Sequence, residues 1–177
     1  MMQMQSIRAG LIAFALLAAG LGPVPGAAVA QTPTATSERG ARVLIVDGSA
    51  VLRQTPADLQ ALLGQPVRSR RVPPGDFRLP GGGMSRVYRG QGTRIDVDFE
   101  QERSTTVMIE FPDRAIAPRT YEEALEAVNL PYDPLPDFAT HDSQEWHDLQ
   151  GYFVRVIAAS PALERIDTII LSVHPLP

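Results

Sequence analysis

The side chains that could do chemistry are a few histidines, serines and carboxylates. His141, His147 and His174 are the three imidazoles. Zinc takes three or four N, O or S ligands from closely spaced positions, usually two of them on one element. His141, His147 and a nearby carboxylate make one conceivable set, but no H-E-x-x-H spacing supports it. For a nucleophile there is no Cys and no G-x-S-x-G turn. Ser85, Ser104, Ser143 and Ser160 fall at strand edges or turns. Ser143 with His141 and Asp142 is a poor triad, because neighbours on an extended chain point to different sides. Catalytic, cofactor and metal residues are therefore assigned to none of these positions.

Asp96, Asp98 and Glu100 alternate with Ile95, Val97 and Phe99. On a strand this puts three carboxylates on one face, about 7 Å apart in succession, which suits calcium or a glycosidase-like pair. Nearby arginines offer a different use. A hairpin over this region sets Arg86 beside Asp96. If Val107 and Ile109 pair with Val97 and Ile95, Glu110 lands beside Arg94, so the face neutralises itself. Arg68, Arg70 and Arg71 form a basic cluster in which Arg68 and Arg70 share one side of a strand; they suit an acidic partner or a polymer phosphate, and equally an exposed strand that faces an acidic surface. The run PGGGM at 80–84 has no following Lys or helix, so it reads as a connector rather than a phosphate loop.

These residues need elements to hold them. RVLIV at 42–46, closed by Asp47-Gly48, predicts a strand and turn with a return strand over 50–52. Thr55, Pro56 and Asp58 predict a capped helix start, Leu59, Leu62 and Leu63 its apolar stripe, and Gly64 with Pro66 its end. Thr120 and Glu123 predict a capping box, with Tyr121, Ala124, Leu125 and Val128 as the stripe and Asn129 and Pro131 as the stop. A hairpin is expected over 85–100, turning through Gly90, Gln91 and Gly92 and pairing Val87 with Ile95. A second is expected over 144–158, turning through Leu149, Gln150 and Gly151 and pairing Trp146 with Val154 and Glu145 with Arg155. Each is followed by a further β-rich run, 105–111 and 167–173. The expectation is an α+β protein of two related helix-plus-antiparallel-sheet modules, 42–112 and 113–177. It is two-layered, with short helices on one face, Val87 equivalent to Trp146, and the halves sharing a continuous sheet.

The pattern T-x-x-D-L with L-L-G-x-P over 55–66, then Y-x-G-x-G-x-x-I-x-V-x-F over 88–99, resembles the αβ modules of the SmpA/OmlA outer-membrane assembly proteins. In tandem it resembles the β-lactamase inhibitory proteins. The resemblance implies an antiparallel sheet with helices on one face and a role in protein binding. The chain departs from the first family's lipid-bearing Cys and from the second's disulfides, since it has no cysteine.

Residues 1–30 read as an export signal: Arg8, an apolar stretch from Ala9 to Leu21, then Ala28-Val29-Ala30 before Gln31. The stretch is shorter than the roughly 20 residues that span a bilayer. Residues 31–41 read as a flexible leader. Removing the signal removes Arg8 and no acid, so the net charge of −4 becomes more negative by one. An acidic surface does not favour nucleic acid as a partner. All 16 basic residues are Arg, which with abundant Ala, Gly and Pro points to a high-GC bacterial genome. The sequence thus describes an exported, periplasmic or secreted interaction module without cofactor or membrane anchor, acting on another envelope or extracellular protein as inhibitor, antidote or assembly factor. Its expected surface is Arg86, Tyr88, Arg94, Asp96 and Met108 with Arg68 and Arg70. The alternative is an exported hydrolase with a carboxylate or His-metal site.

Overall fold

A computed structural model describes residues 44–90, 92–132, 135–159 and 165–176. The expected signal peptide and leader lie outside the described residues. Those described belong to one compact unit, Arg39–Pro177. Its elements are α1 (Gly48–Val51), α2 (Pro56–Leu63), β1 (Arg68–Val72), β2 (Gly83–Gly90), β3 (Thr93–Glu100), β4 (Arg103–Glu110), α3 (Tyr121–Ala127), β5 (Phe138–Ala139), β6 (Ser143–Leu149), β7 (Tyr152–Ala158) and β8 (Ile166–Ser172).

The strands form one eight-stranded sheet in the order β1-β2-β3-β4-β8-β7-β6-β5, antiparallel throughout. This overturns the expected pair of helix-plus-sheet modules. β4 and β8 pair directly, Val107 opposite Leu171 and Ile109 opposite Ile169, so the strands of both halves bury their apolar residues in a single core cluster. The helices are short, 4, 8 and 7 residues, and the sheet dominates the architecture. The shared sheet that the sequence suggested is found. The duplication is not established, because Val87 and Trp146, its expected equivalents, lie on opposite faces of the sheet.

One face carries the helices. Ile95, Val97 and Phe99 from β3, Val107 and Ile109 from β4, Ile169 and Leu171 from β8, and Val154 and Val156 from β7 cluster there with Leu59 of α2 and Ala124 and Leu125 of α3. Alternation along each strand puts every second residue on this face, and the apolar sets coincide because the registers align them.

Both longer helices start where local chemistry says they must. Thr55 Oγ1 accepts from Asp58 N at 3.2 Å, and Asp58 Oδ2 accepts from Thr55 N at 3.2 Å, closing the box. Leu59 is fully buried, but Leu62 is 52% exposed, so the α2 stripe is narrower than expected. Thr120 Oγ1 accepts from Glu123 N at 3.1 Å, whereas the Glu123 carboxylate takes the Arg119 N–H at 2.6 Å instead of the cap's own. Asn129 ends α3 at φ 58°, the left-handed stop that its side chain tolerates.

The run around 42–46 corrects a second expectation. Leu44 to Asp47 pairs with no strand. Ile45 N donates to Ala127 O at 2.9 Å and Gly48 N to Val128 O at 2.9 Å, docking this segment on the end of α3. Asp47 caps α1 where a turn and return strand were expected, because its carboxylate accepts the Ser49 N–H at 2.8 Å.

The first hairpin is shifted by one residue. Gly90 pairs directly with Thr93, where the three-residue loop was expected; Gln91 lies outside the described residues. Tyr88 therefore faces Ile95, Val87 faces Asp96, and Arg86 faces Val97. The second hairpin also closes on two residues, Leu149 opposite Tyr152. A register shift between Trp146 and Leu149 restores the expected pairs Trp146 with Val154 and Glu145 with Arg155.

Candidate functional site

The face without helices holds most of the expected surface. Arg68 and Arg70 of β1, Val87 of β2, Arg94 and Asp96 of β3 and Met108 of β4 all point to it, as the cross-strand pairs Arg68 with Val87, Val87 with Asp96 and Asp96 with Met108 require. Ile170, Phe153, Arg155 and Glu145 continue it across β8, β7 and β6. Val87, Met108, Ile170 and Phe153 are half-buried, so the face mixes apolar ground with charge.

Two expected members are not there. Tyr88 is 1% exposed and belongs to the core cluster. Arg86 lies on the helix face: its Nη1 donates to Pro56 O at 2.9 Å at the start of α2, and its guanidinium carbon sits 5.9 Å from the Phe99 ring centroid. Both corrections follow from the one-residue difference in register, which moves every β2 side chain to the other face. Arg86 therefore cannot pair with Asp96.

The carboxylates are held by other arginines. Arg94 Nη2 donates to Asp96 Oδ2 at 2.8 Å and its Nη1 lies 3.1 Å from Glu110 Oε2, the second contact as the β3–β4 register predicts. Arg78 Nη2 reaches Asp98 Oδ2 at 2.7 Å. Arg78 sits on the connection between β1 and β2, which folds back over the face; Val72 and Leu79 are buried there, outside the main core cluster. Arg78 is not among the residues that motif and spacing single out. Its local signal is the Asp76 turn, where Arg78 N donates to Asp76 Oδ1 at 2.9 Å, and that says nothing of Asp98. Asp96 and Asp98 are only 5% and 1% exposed, and among the described residues Oδ1 of each has no hydrogen-bond partner. A pocket of about 240 Å³ opens here between Arg68, Arg70, Arg78, Ser85, Arg94 and Asp96.

Each histidine meets a carboxylate at 3.7 Å: His141 with Asp142, His147 with Glu145, and His174 with Glu100. All three are exposed, and among the described residues no three His, Asp or Glu side chains are grouped to hold a metal. Ser104 is structural: its Oγ donates to Val51 O at 2.7 Å and accepts from Gln54 N at 2.9 Å, fastening the α1–α2 link to β4. Ser143 Oγ shares a hydrogen bond with Thr140 Oγ1 at 2.8 Å. Ser160 lies outside the described residues.

No protein-family model matches the chain, and neither does any curated protein. Among solved structures it is similar to a cysteine-rich secretory protein from Staphylococcus aureus subsp. aureus Mu50, at 11% identity and a TM-score of 0.46, over 69% of this chain and 44% of that one. It is similar too to an extracellular protein containing a SCP domain from Bacillus anthracis str. Ames, at 10% identity and a TM-score of 0.46, over 77% and 48%. The chain spans less than half the length of either, and similarity at this level assigns neither family nor function. Among the described residues, no helix is long and apolar enough to cross a membrane, which leaves β-barrels unaddressed.

Proposed function

We propose that the protein is an exported, non-catalytic module that binds another envelope or extracellular protein through the helix-free face of its sheet. The observation that carries this reading is the make-up of that face. Half-buried Val87, Met108, Ile170 and Phe153 form apolar ground, and Arg68, Arg70, Arg94 and Asp96 stand at one end of it. Apolar ground beside the paired Arg94 and Asp96 and the outward-facing Arg68 and Arg70 gives a partner both contact area and register. Export rests on the signal-like segment 1–30, and a binding role agrees with what the resemblance of residues 55–66 and 88–99 to the SmpA/OmlA modules implies.

The test is a photo-crosslinking phenylalanine placed at Met108 in cells that export the protein, with the same group at Glu122 on α3 as the reference position. One discrete adduct from Met108 and none from Glu122 is the expected outcome. Equal labelling at both positions, or none at Met108, rejects the reading.

A further inference from the structure

Among the described residues β1 ends the sheet and pairs with β2 alone, so half of its backbone N–H and C=O groups face outward, a template for one more strand. Four of its five residues are exposed. Arg68 and Arg70 project from the helix-free face and Arg71 from the other. Among the described residues none of these three guanidinium groups has an ion pair or side-chain hydrogen bond, whereas Arg78 and Arg94 beside them are committed to Asp98, Asp96 and Glu110.

We propose that β1 is the addition site for an extended segment of the partner protein that carries acidic residues at alternate positions, in phase with Arg68 and Arg70. The proposal rests on the interaction-module reading and narrows it to an edge and a chemistry. Residues directly opposite on adjacent strands hold their Cβ atoms about 5 Å apart, and alternate residues share a face. Two acids separated by one residue therefore meet Arg68 and Arg70 together, each in the two-pronged geometry a guanidinium offers a carboxylate. The 240 Å³ pocket bordered by both arginines gives those side chains room.

A second copy of this chain does not fit the same edge. Two β1 strands pairing with their helix-free faces aligned bring Arg68 and Arg70 against their own counterparts, and like charges directly opposite oppose pairing. The other edge, β5, has two residues and offers no comparable ladder. The chain's net charge of −4 repels an acidic partner at long range, so recognition by this edge is local and set by the arginines.

The probe is a labelled peptide, acetyl-Thr-Glu-Val-Glu-Val-Glu-Thr-amide, titrated into the exported chain and followed by fluorescence anisotropy. Its glutamine counterpart and a version with alternate backbone nitrogens methylated are the comparisons. The glutamate peptide is expected to bind at least about ten-fold tighter than the glutamine one, and methylation to remove the binding. The double variant Arg68→Glu/Arg70→Glu, which alters exposed side chains and is checked for an unchanged melting midpoint, is expected to lose at least about ten-fold. Equal affinity for both peptides, no binding at millimolar peptide, or an unaffected double variant overturns the proposal. So does sedimentation showing a wild-type dimer that the double variant dissolves, since the edge then belongs to a second copy. A Met108 adduct that persists unchanged in the double variant rejects the edge while leaving the interaction reading standing.

Discussion

Asn129 Nδ2 donates to Asp47 Oδ2 at 2.8 Å, joining residues 82 positions apart. The left-handed residue that stops α3 thus holds the residue that starts α1. Asp47 Oδ1 meanwhile accepts from Ser49 N at 2.8 Å and Ser49 Oγ at 2.6 Å. One carboxylate closes the first turn of the described chain and fastens it to the end of α3, which the backbone bond from Gly48 N to Val128 O reinforces.

Replacing Asp47 with Ala is expected to cost about 1 kcal/mol, the usual cost of losing an N-cap, and urea denaturation measures it. Asn129→Gly, which keeps the left-handed turn and removes only the side-chain bond, is expected to cost less.

The same carboxylate predicts a pH dependence. The Ser49 hydroxyl is the main cause holding Asp47 below its ordinary value of 3.8; desolvation, the next largest effect, opposes it, and Asn129 and the Ser49 and Ala50 N–H groups add to the lowering. A folded-state value below the unfolded one gives stability that is present above pH 3.8 and lost as pH falls through the folded value. The stability difference between wild type and Asp47→Asn is therefore expected to stay constant from neutral pH downwards and to shrink only in the acid range. A difference that grows on acidification contradicts this.

Trp146 is 1% exposed, sits opposite Val154 and meets the Tyr132 ring edge-on at 6.3 Å. Trp146→Ala is expected to destabilise by about 3 to 5 kcal/mol. An unchanged thermal midpoint places the indole outside the core.

Arg78 is the partner that Asp98 needs in a site only 1% exposed. Arg78→Ala leaves that carboxylate uncompensated, at a cost of up to about 3 kcal/mol. Asp98→Asn in the same chain is expected to recover part of the loss, and a double-mutant cycle reads the coupling. Additive losses show that the pair is not coupled.

Tyr88 presents the opposite case. It is buried and its hydroxyl has no partner among the described residues, so Tyr88→Phe removes a polar atom that gains nothing from burial. The variant is expected to be as stable as wild type or more stable by about 1 kcal/mol, because an unsatisfied buried group costs about that much. A clear loss of stability reveals a hydrogen bond that the structure does not contain.

What the sequence determined by itself is what acts within a few residues. Thr55 with Asp58 and Thr120 with Glu123 cap helices whose first turn lies beside them, Asn129 stops α3 through its own backbone angle, and alternation put Ile95, Val97 and Phe99 on one face. The second hairpin was legible through Trp146 and Val154. The first was not, since Val87 and Tyr88 are both apolar enough to face the core and the pairing of Gly90 with Thr93 decides between them. That single choice carried Arg86 and Tyr88 off the candidate surface and left Arg68, Arg70, Arg94, Asp96 and Met108 on it. Only the tertiary structure decided that β4 meets β8, that 44–47 docks on α3 instead of forming a strand, and that Arg78 rather than a strand neighbour neutralises a buried acid. These are contacts between segments far apart in the chain. Their free energy comes from burying shared apolar surface and from pairing charges once water is excluded, and neither leaves a mark in the spacing of neighbouring residues.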